Sequence, residues 1–267
     1  EELRARLPPW ELFENPITSR RRPVEFQSRL EHMKSAYMVH CLEPDEQGKK
    51  REPITKLTQM IDRALDANAN LEDFDLSEAD PPIDDWQWTA TVEVLQYTME
   101  QYTPSDTEQW KENIDIRKLS LASAAQQLTQ HSVPNICTFI RKFARLTHVN
   151  LSGVPLDSGR DITAALITLP DLDTLILKNC KIHPRSFQNI VMVFGAQPSK
   201  LRVLDVEHNT INHGAITPLC DLMKGDNCSL TELNLGHNKI EITGLELLLE
   251  TLRFKRRLRS LDFSGNP

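Results

Sequence analysis

Few residues in this 267-residue chain combine the types and spacings that chemistry requires. Cys41, Cys137, Cys220 and Cys228 stand without a histidine at a recognisable distance. A Gly-x-Ser-x-Gly elbow is absent, and so are the phosphate-binding Gly-x-x-x-x-Gly-Lys and Gly-x-Gly-x-x-Gly loops. The one grouping of metal-ligand types is His208 and His237 with Asp205, Asn234 and Asp262. Two imidazoles and a carboxylate can hold zinc. Neither Cys-x-x-Cys nor His-Glu-x-x-His backs that reading, so these side chains are expected to be polar positions on a binding surface. No metal, cofactor or catalytic residue is expected, and the chain reads as a non-enzyme.

What positions this group is an internal repeat. His208 and His237 are 29 residues apart, as are Asp205 and Asn234. Around them, Leu230, Leu233, Leu235 and Ile240 stand at offsets 0, 3, 5 and 10, with Asn238 at offset 8. Leu201, Leu204, Val206, Asn209 and Ile211 repeat the frame, as do Leu172, Leu175, Leu177, Cys180 and Ile182, and Leu146, Val149, Leu151, Val154 and Leu156. A short last copy has Leu258, Leu261, Phe263 and Asn266. Weaker copies start at Leu71 (Phe74, Leu76, Ala79) and Ile116 (Leu119, Leu121, Ala124), separated by an acidic insertion at about 80–113 with a helix expected from Thr89 to Tyr102. Between the strong copies, apolar residues fall at spacings of 3 and 4, as in Gly244-Leu245-x-x-Leu248-Leu249-x-x-Leu252, which marks one face of a helix.

This frame resembles the leucine-rich repeat family over about residues 71–267. Its 28–29-residue unit with a full helix is similar to the ribonuclease-inhibitor subclass, shared with tropomodulins and NOD-like receptors. The resemblance implies an α/β solenoid: a curved parallel sheet lining the concave face, with helices outside. The offset-0, -3 and -5 residues belong to a short strand and its approach. Asn209, Asn238 and Asn266, with Cys180 as a common exchange, form a structural ladder that bonds backbone groups left over at the turn. Val154, Ala124 and Ala79 cannot do so, and less regular first turns are expected.

The frame lists the columns of the concave face, with neighbours about 5 Å apart. Offset 2 runs Asp73, Lys118, His148, Thr174, Val203, Glu232, Ser260, and offset 4 runs Asp75, Ser120, Asn150, Ile176, Asp205, Asn234, Asp262. From these and from offset 7, the partner-binding candidates are Asp73, Asp75, Lys118, His148, Asn150, Asp205, His208, Glu232, Asn234, His237 and Asp262.

Charge is uneven. Residues 64–110 carry no Lys or Arg against 12 Asp/Glu, within a net charge of −7. Such a block will not bind a phosphate backbone; it is a solvated acidic face or meets a basic partner. Two basic spots stand apart as candidate contacts: Arg20, Arg21 and Arg22, and Arg253, Lys255, Arg256 and Arg257 with Arg259. The first is the candidate for RNA contact. Five irregularly spaced cysteines argue for a reducing compartment: cytoplasm, cytoskeleton or cilium, with the mitochondrion as the alternative. No apolar run is long enough to cross a membrane, and neither membrane nor small-molecule partners are expected.

Residues 29–70 read as a helical cap, with Ile54, Leu57, Met60, Ile61, Ala64 and Leu65 on one helical face. Residues 1–28, with Trp10, Phe13 and four prolines, read as an extended arm that lies either on its own repeats or on a neighbour. The last strand is expected to be an edge covered by further chain beyond Pro267 or by another subunit. These features favour a non-enzymatic protein-docking or scaffold module in a large ciliary, cytoskeletal or organellar assembly. The alternatives are a regulatory binder of a soluble target and an RNA-contacting subunit.

Overall fold

The computed structural model describes residues 29–42, 52–101, 114–122, 127–157, 160–196, 199–226, 228–254 and 257–267. The expected 1–28 arm, with Trp10, Phe13 and Arg20 to Arg22, and the basic residues Lys255 and Arg256 lie outside these residues. The chain divides into two compact units.

The larger unit holds the repeats. Strands β1 (Leu71–Asp75), β2 (Ile114–Ser120), β3 (His148–Asn150), β4 (Thr174–Ile176), β5 (Val203–Asp205), β6 (Glu232–Asn234) and β7 (Ser260–Asp262) form one sheet in chain order. From β2 onward the pairing is parallel with no slip. Lys118, His148, Thr174, Val203, Glu232 and Ser260 form one row; Ser120, Asn150, Ile176, Asp205, Asn234 and Asp262 form another. The residue between them in β2 to β6, such as Val149, Leu175, Leu204 or Leu233, points the other way and is buried.

Those buried side chains meet the apolar stripes of helices that follow the strands: α4 (Val133–Lys142), α5 (Arg160–Leu166), α6 (Pro184–Ala196), α7 (Ile216–Lys224) and α8 (Ile242–Phe254). Each helix packs on the next in chain order. In α6 the stripe is Phe187, Ile190, Val191 and Phe194, all buried. At β7 the pattern weakens: Leu258, Leu261 and Phe263 are only half-buried where their counterparts are fully covered.

The smaller unit gathers α1 (Arg29–Leu42), α2 (Thr55–Asp66) and nearly all of α3 (Asp85–Gln101). The insertion helix therefore belongs with the helices before the repeats. The His40 ring stacks on Trp86 at 5.3 Å, Gln87 Nε2 donates to the Glu52 carbonyl at 3.0 Å, and the Ile54 N–H donates to the Tyr37 hydroxyl at 3.1 Å. The helix starts at Asp85, four residues before the position expected. Its period is hard to read because it is covered on several sides: Trp88, Thr91, Val92, Val94, Leu95 and Thr98 are all buried. Thr91 and Thr98 satisfy their hydroxyls on the carbonyls one turn back.

The repeats are stitched together by side-chain amides, buried at Asn209 and Asn238 and half-buried at Asn266. Asn209 Oδ1 accepts from the Cys180 and Ile182 N–H groups at 3.1 and 2.9 Å, and its Nδ2 donates to the Leu177 and Val206 carbonyls, both at 2.9 Å. Asn238 accepts from Ile211 N–H at 3.1 Å and donates to Val206 and Leu235. Asn266 accepts from Ile240 N–H at 3.0 Å and donates to Leu235 and Phe263. Every amide thus bonds its own turn and the one before. Cys180 performs half of this task, its thiol donating to the Leu151 carbonyl at 3.1 Å. Burial pushes that thiol up to about 12, so it stays protonated and able to donate. Removing one amide strands backbone groups away from water. Asn238→Ala should lower stability by about 1–3 kcal/mol in urea unfolding; a loss under about 0.5 kcal/mol would contradict the ladder.

Candidate functional site

The face of the sheet turned away from α4–α8 is polar, and its residues divide by the work they already do. Much of the offset-4 row is occupied in shaping the turns. Asp75, Asn150, Asp205, Asn234 and Asp262 each accept through Oδ1 the N–H two residues on, from Ser77, Ser152, Glu207, Gly236 and Ser264, at 2.9–3.2 Å. These Asx turns carry the chain off the strand. The Ser264 N–H holds the exposed Asp262 carboxyl below its ordinary value.

Three residues after the offset-4 position comes a corner in the left-handed region. Glu78, Asn179, His208 and His237 have φ between 51° and 56°, and Gly153 and Gly265 have φ of 85° and 69°. Asn, His and Gly are the types that tolerate this backbone, so backbone geometry favours the histidines at this offset. Each corner also pairs along the array: His208 N–H donates to the Gly236 carbonyl at 3.0 Å and His237 N–H to Ser264 at 2.7 Å. The two imidazole rings consequently stack at 4.3 Å, 5° from parallel. His237 then lies over Gly265, where an added Cβ would come within 2.3 Å of Nδ1.

Two ion-pair groups sit beside these corners. Lys178 Nζ bridges Asp205 Oδ2 and Glu207 Oε2, each at 3.0 Å, and Asn234 Nδ2 donates to the same two oxygens at 3.2 and 3.3 Å. The Lys178 hydrogen bond holds Glu207 below the usual carboxylate value. Partial desolvation pulls Lys178 down, but Glu207 and Asp205 together outweigh it and its value rises. At the opposite strand ends, Arg202 makes a two-pronged bond to Asp173, and Thr174 Oγ1 donates to Asp173 Oδ2 at 3.0 Å. His148 Nε2 lies 3.9 Å from that carboxylate and its Nδ1 is 2.8 Å from Thr147 Oγ1.

The remaining candidates scatter. Asp73 and Lys118 are exposed and 3.7 Å apart, and Glu232 is exposed on β6. Arg253 is exposed at the end of α8, and Arg257 donates to the Cys228 carbonyl at 3.0 Å in the loop region leading into the strands, away from the Asx turns. The structure adds Lys178 and Glu207 at offset 6, and Asp173 and Arg202 at offset 1. Each pair shows opposite charges at one offset in consecutive repeats, which is a signal of contact. It also brings Glu207, His208 and His237 together, with ligand atoms within 4.8 Å of one another. At the middle of the face, Ile176 and Val203 are half-buried and apolar among polar neighbours.

Comparison with known proteins agrees with this architecture. The family model described as Leucine Rich repeat matches residues 226–249. The chain is 26% identical over 158 residues to NACHT, LRR and PYD domains-containing protein 4C of Mus musculus, covering 58% of this chain and 16% of that protein. It is 30% identical over 164 residues to Monocyte differentiation antigen CD14 of Mus musculus (61% and 39%). To Ribonuclease inhibitor of Sus scrofa it is 25% identical over 142 residues (52% and 31%). The chain thus spans well under half the length of these relatives. Its repeats have the leucine-rich-repeat architecture and are similar to those of the ribonuclease-inhibitor-like subclass.

The lowered carboxylates make stability depend on pH. A folded value below the unfolded one, ordinarily about 4, contributes stability above that value and loses it as pH falls through the folded one. Arg202 is the chief cause of the lowering at Asp173, working against partial desolvation. Asp173→Asn should melt below wild type at pH 7, with the gap closing under about pH 4. A gap that stays constant with pH would contradict the assignment.

Proposed function

We propose that the repeat unit is a protein-docking module and that its partner seats on the open face of the sheet, centred on Ile176 and Val203. The observation that carries this reading is the composition of that face: two half-buried apolar side chains on β4 and β5, flanked by Asp73, Asp75 and Lys118 on one side and Glu232, Asn234 and Asp262 on the other. An apolar centre with a polar margin is the usual anatomy of a protein interface. The ion pairs Lys178–Glu207 and Arg202–Asp173 fix the surroundings in place, so a partner would meet a face already ordered.

We infer a fixed subunit of a larger ciliary, cytoskeletal or organellar assembly, without catalysis of its own. Cys180, whose thiol is consumed in the ladder, favours a reducing compartment. The relatives' names are those of an inhibitor, an antigen and domain-bearing proteins, and binding rather than reaction chemistry suits the face described above.

Affinity purification from the native cell, comparing wild type with Ile176→Glu, tests this directly. The substitution lies on a half-buried surface position, so the melting curve should stay close to wild type. Recovery of the wild-type partner should fall about 10-fold or more. Unchanged recovery of every partner would place the interface elsewhere.

A further inference from the structure

The corner where β5 and β6 end adds Glu207 to the two histidines that the repeat frame already makes neighbours. Glu207, His208 and His237 offer one carboxylate and two imidazoles with ligand atoms within 4.8 Å of one another. We propose that these three residues bind one zinc ion, with its fourth position open to solvent.

The fold places the donors side by side. His208 and His237 occupy equivalent corners of consecutive repeats, and their rings are stacked at 4.3 Å. His237 is held from its other side by Gly265, which has no Cβ to push the ring away. Glu207 is oriented as well: Oε2 accepts from Lys178 and Asn234, while Oε1 lies 3.7 Å from His208 Nε2. An outer hydrogen bond that fixes a ligating carboxylate is what a metal site requires. Donors around a tetrahedral zinc, at about 2.0–2.2 Å from the metal, sit about 3.3 Å apart. The parallel rings do not aim their in-plane lone pairs at one point, so binding turns the exposed His208 and His237 side chains until those lone pairs converge. Two imidazoles with one carboxylate suit zinc, and the ligand count leaves the position that a water molecule or an incoming side chain can fill. Lys178 opposes the cation by its charge, but its ion pairs with Asp205 and Glu207 balance that charge. The third ligand is therefore Glu207, not Asp205, Asn234 or Asp262, whose Oδ1 atoms are committed to the Asx turns.

The test is calorimetric titration of zinc chloride into the full 267-residue chain after chelator treatment. Wild type should bind zinc at this corner with a Kd tighter than about 100 µM. His237→Asn and Glu207→Gln should weaken that binding about 10-fold or more. Asn accepts the left-handed backbone of position 237, and a melting curve matching wild type certifies the fold. His148→Asn should leave binding unchanged. In the unmodified protein, zinc should shift the imidazole ring resonances of His208 and His237 ahead of those of the other histidines, which keeps the test independent of any variant's folding. Equal zinc affinity in all three variants, shifts confined to other histidines, or no saturable uptake would each overturn the proposal.

Discussion

The structure depends on a hydrogen bond that reaches from one repeat to the next. A short strand gives each turn of the array few inter-strand bonds, and the backbone leaving it has amides and carbonyls with nowhere to go. Asn209, Asn238 and Asn266 each occupy both functions of a side-chain amide, accepting from the preceding turn and donating to the preceding turn and to their own. Because the donors and acceptors at Asn209 and Asn238 are largely buried, a slip of one residue would leave several of them without water or partner. The ladder therefore enforces register, and register decides everything on the open face.

With register fixed, residues at one offset become neighbours. That is why Lys178 meets Glu207, Asp173 meets Arg202, and His208 stacks on His237, all across 29 residues of chain. Local backbone demands act along the same columns. The Asx residues shape the turns, and the left-handed corner admits chiefly Gly, Asn and His. One column can therefore serve architecture and recognition together: His208 and His237 satisfy an unusual backbone and also present two imidazoles on the surface.

Much of this was legible in the sequence. The leucine spacing gives the strands and buried rows, because a short strand with one inward residue leaves an unmistakable period. The asparagine column is equally plain. The division of labour within the offset-4 row was harder to see, because Asp205 and Asn234 look like free polar groups until the i to i+2 bonds appear. Glu207 and Lys178 stand at offset 6, in the turn beyond the strand, so the alternation of strand residues does not point to them. The extent of α3 was obscured by burial on several of its faces, which blurs the helical period. Nothing in the period of the repeats signals that the insertion helix joins the helices before them; that depends on side-chain contacts such as His40 with Trp86.

Native-state hydrogen exchange at Ile182, Ile211 and Ile240 tests the ladder most directly. Their amides donate to the side-chain oxygens of Asn209, Asn238 and Asn266, in turns that would otherwise exchange as loops. If those bonds hold the repeats in register, the three amides will exchange as slowly as those of the β4, β5 and β6 strands, at rates set by global unfolding. Exchange at the rate of exposed loops would contradict the account.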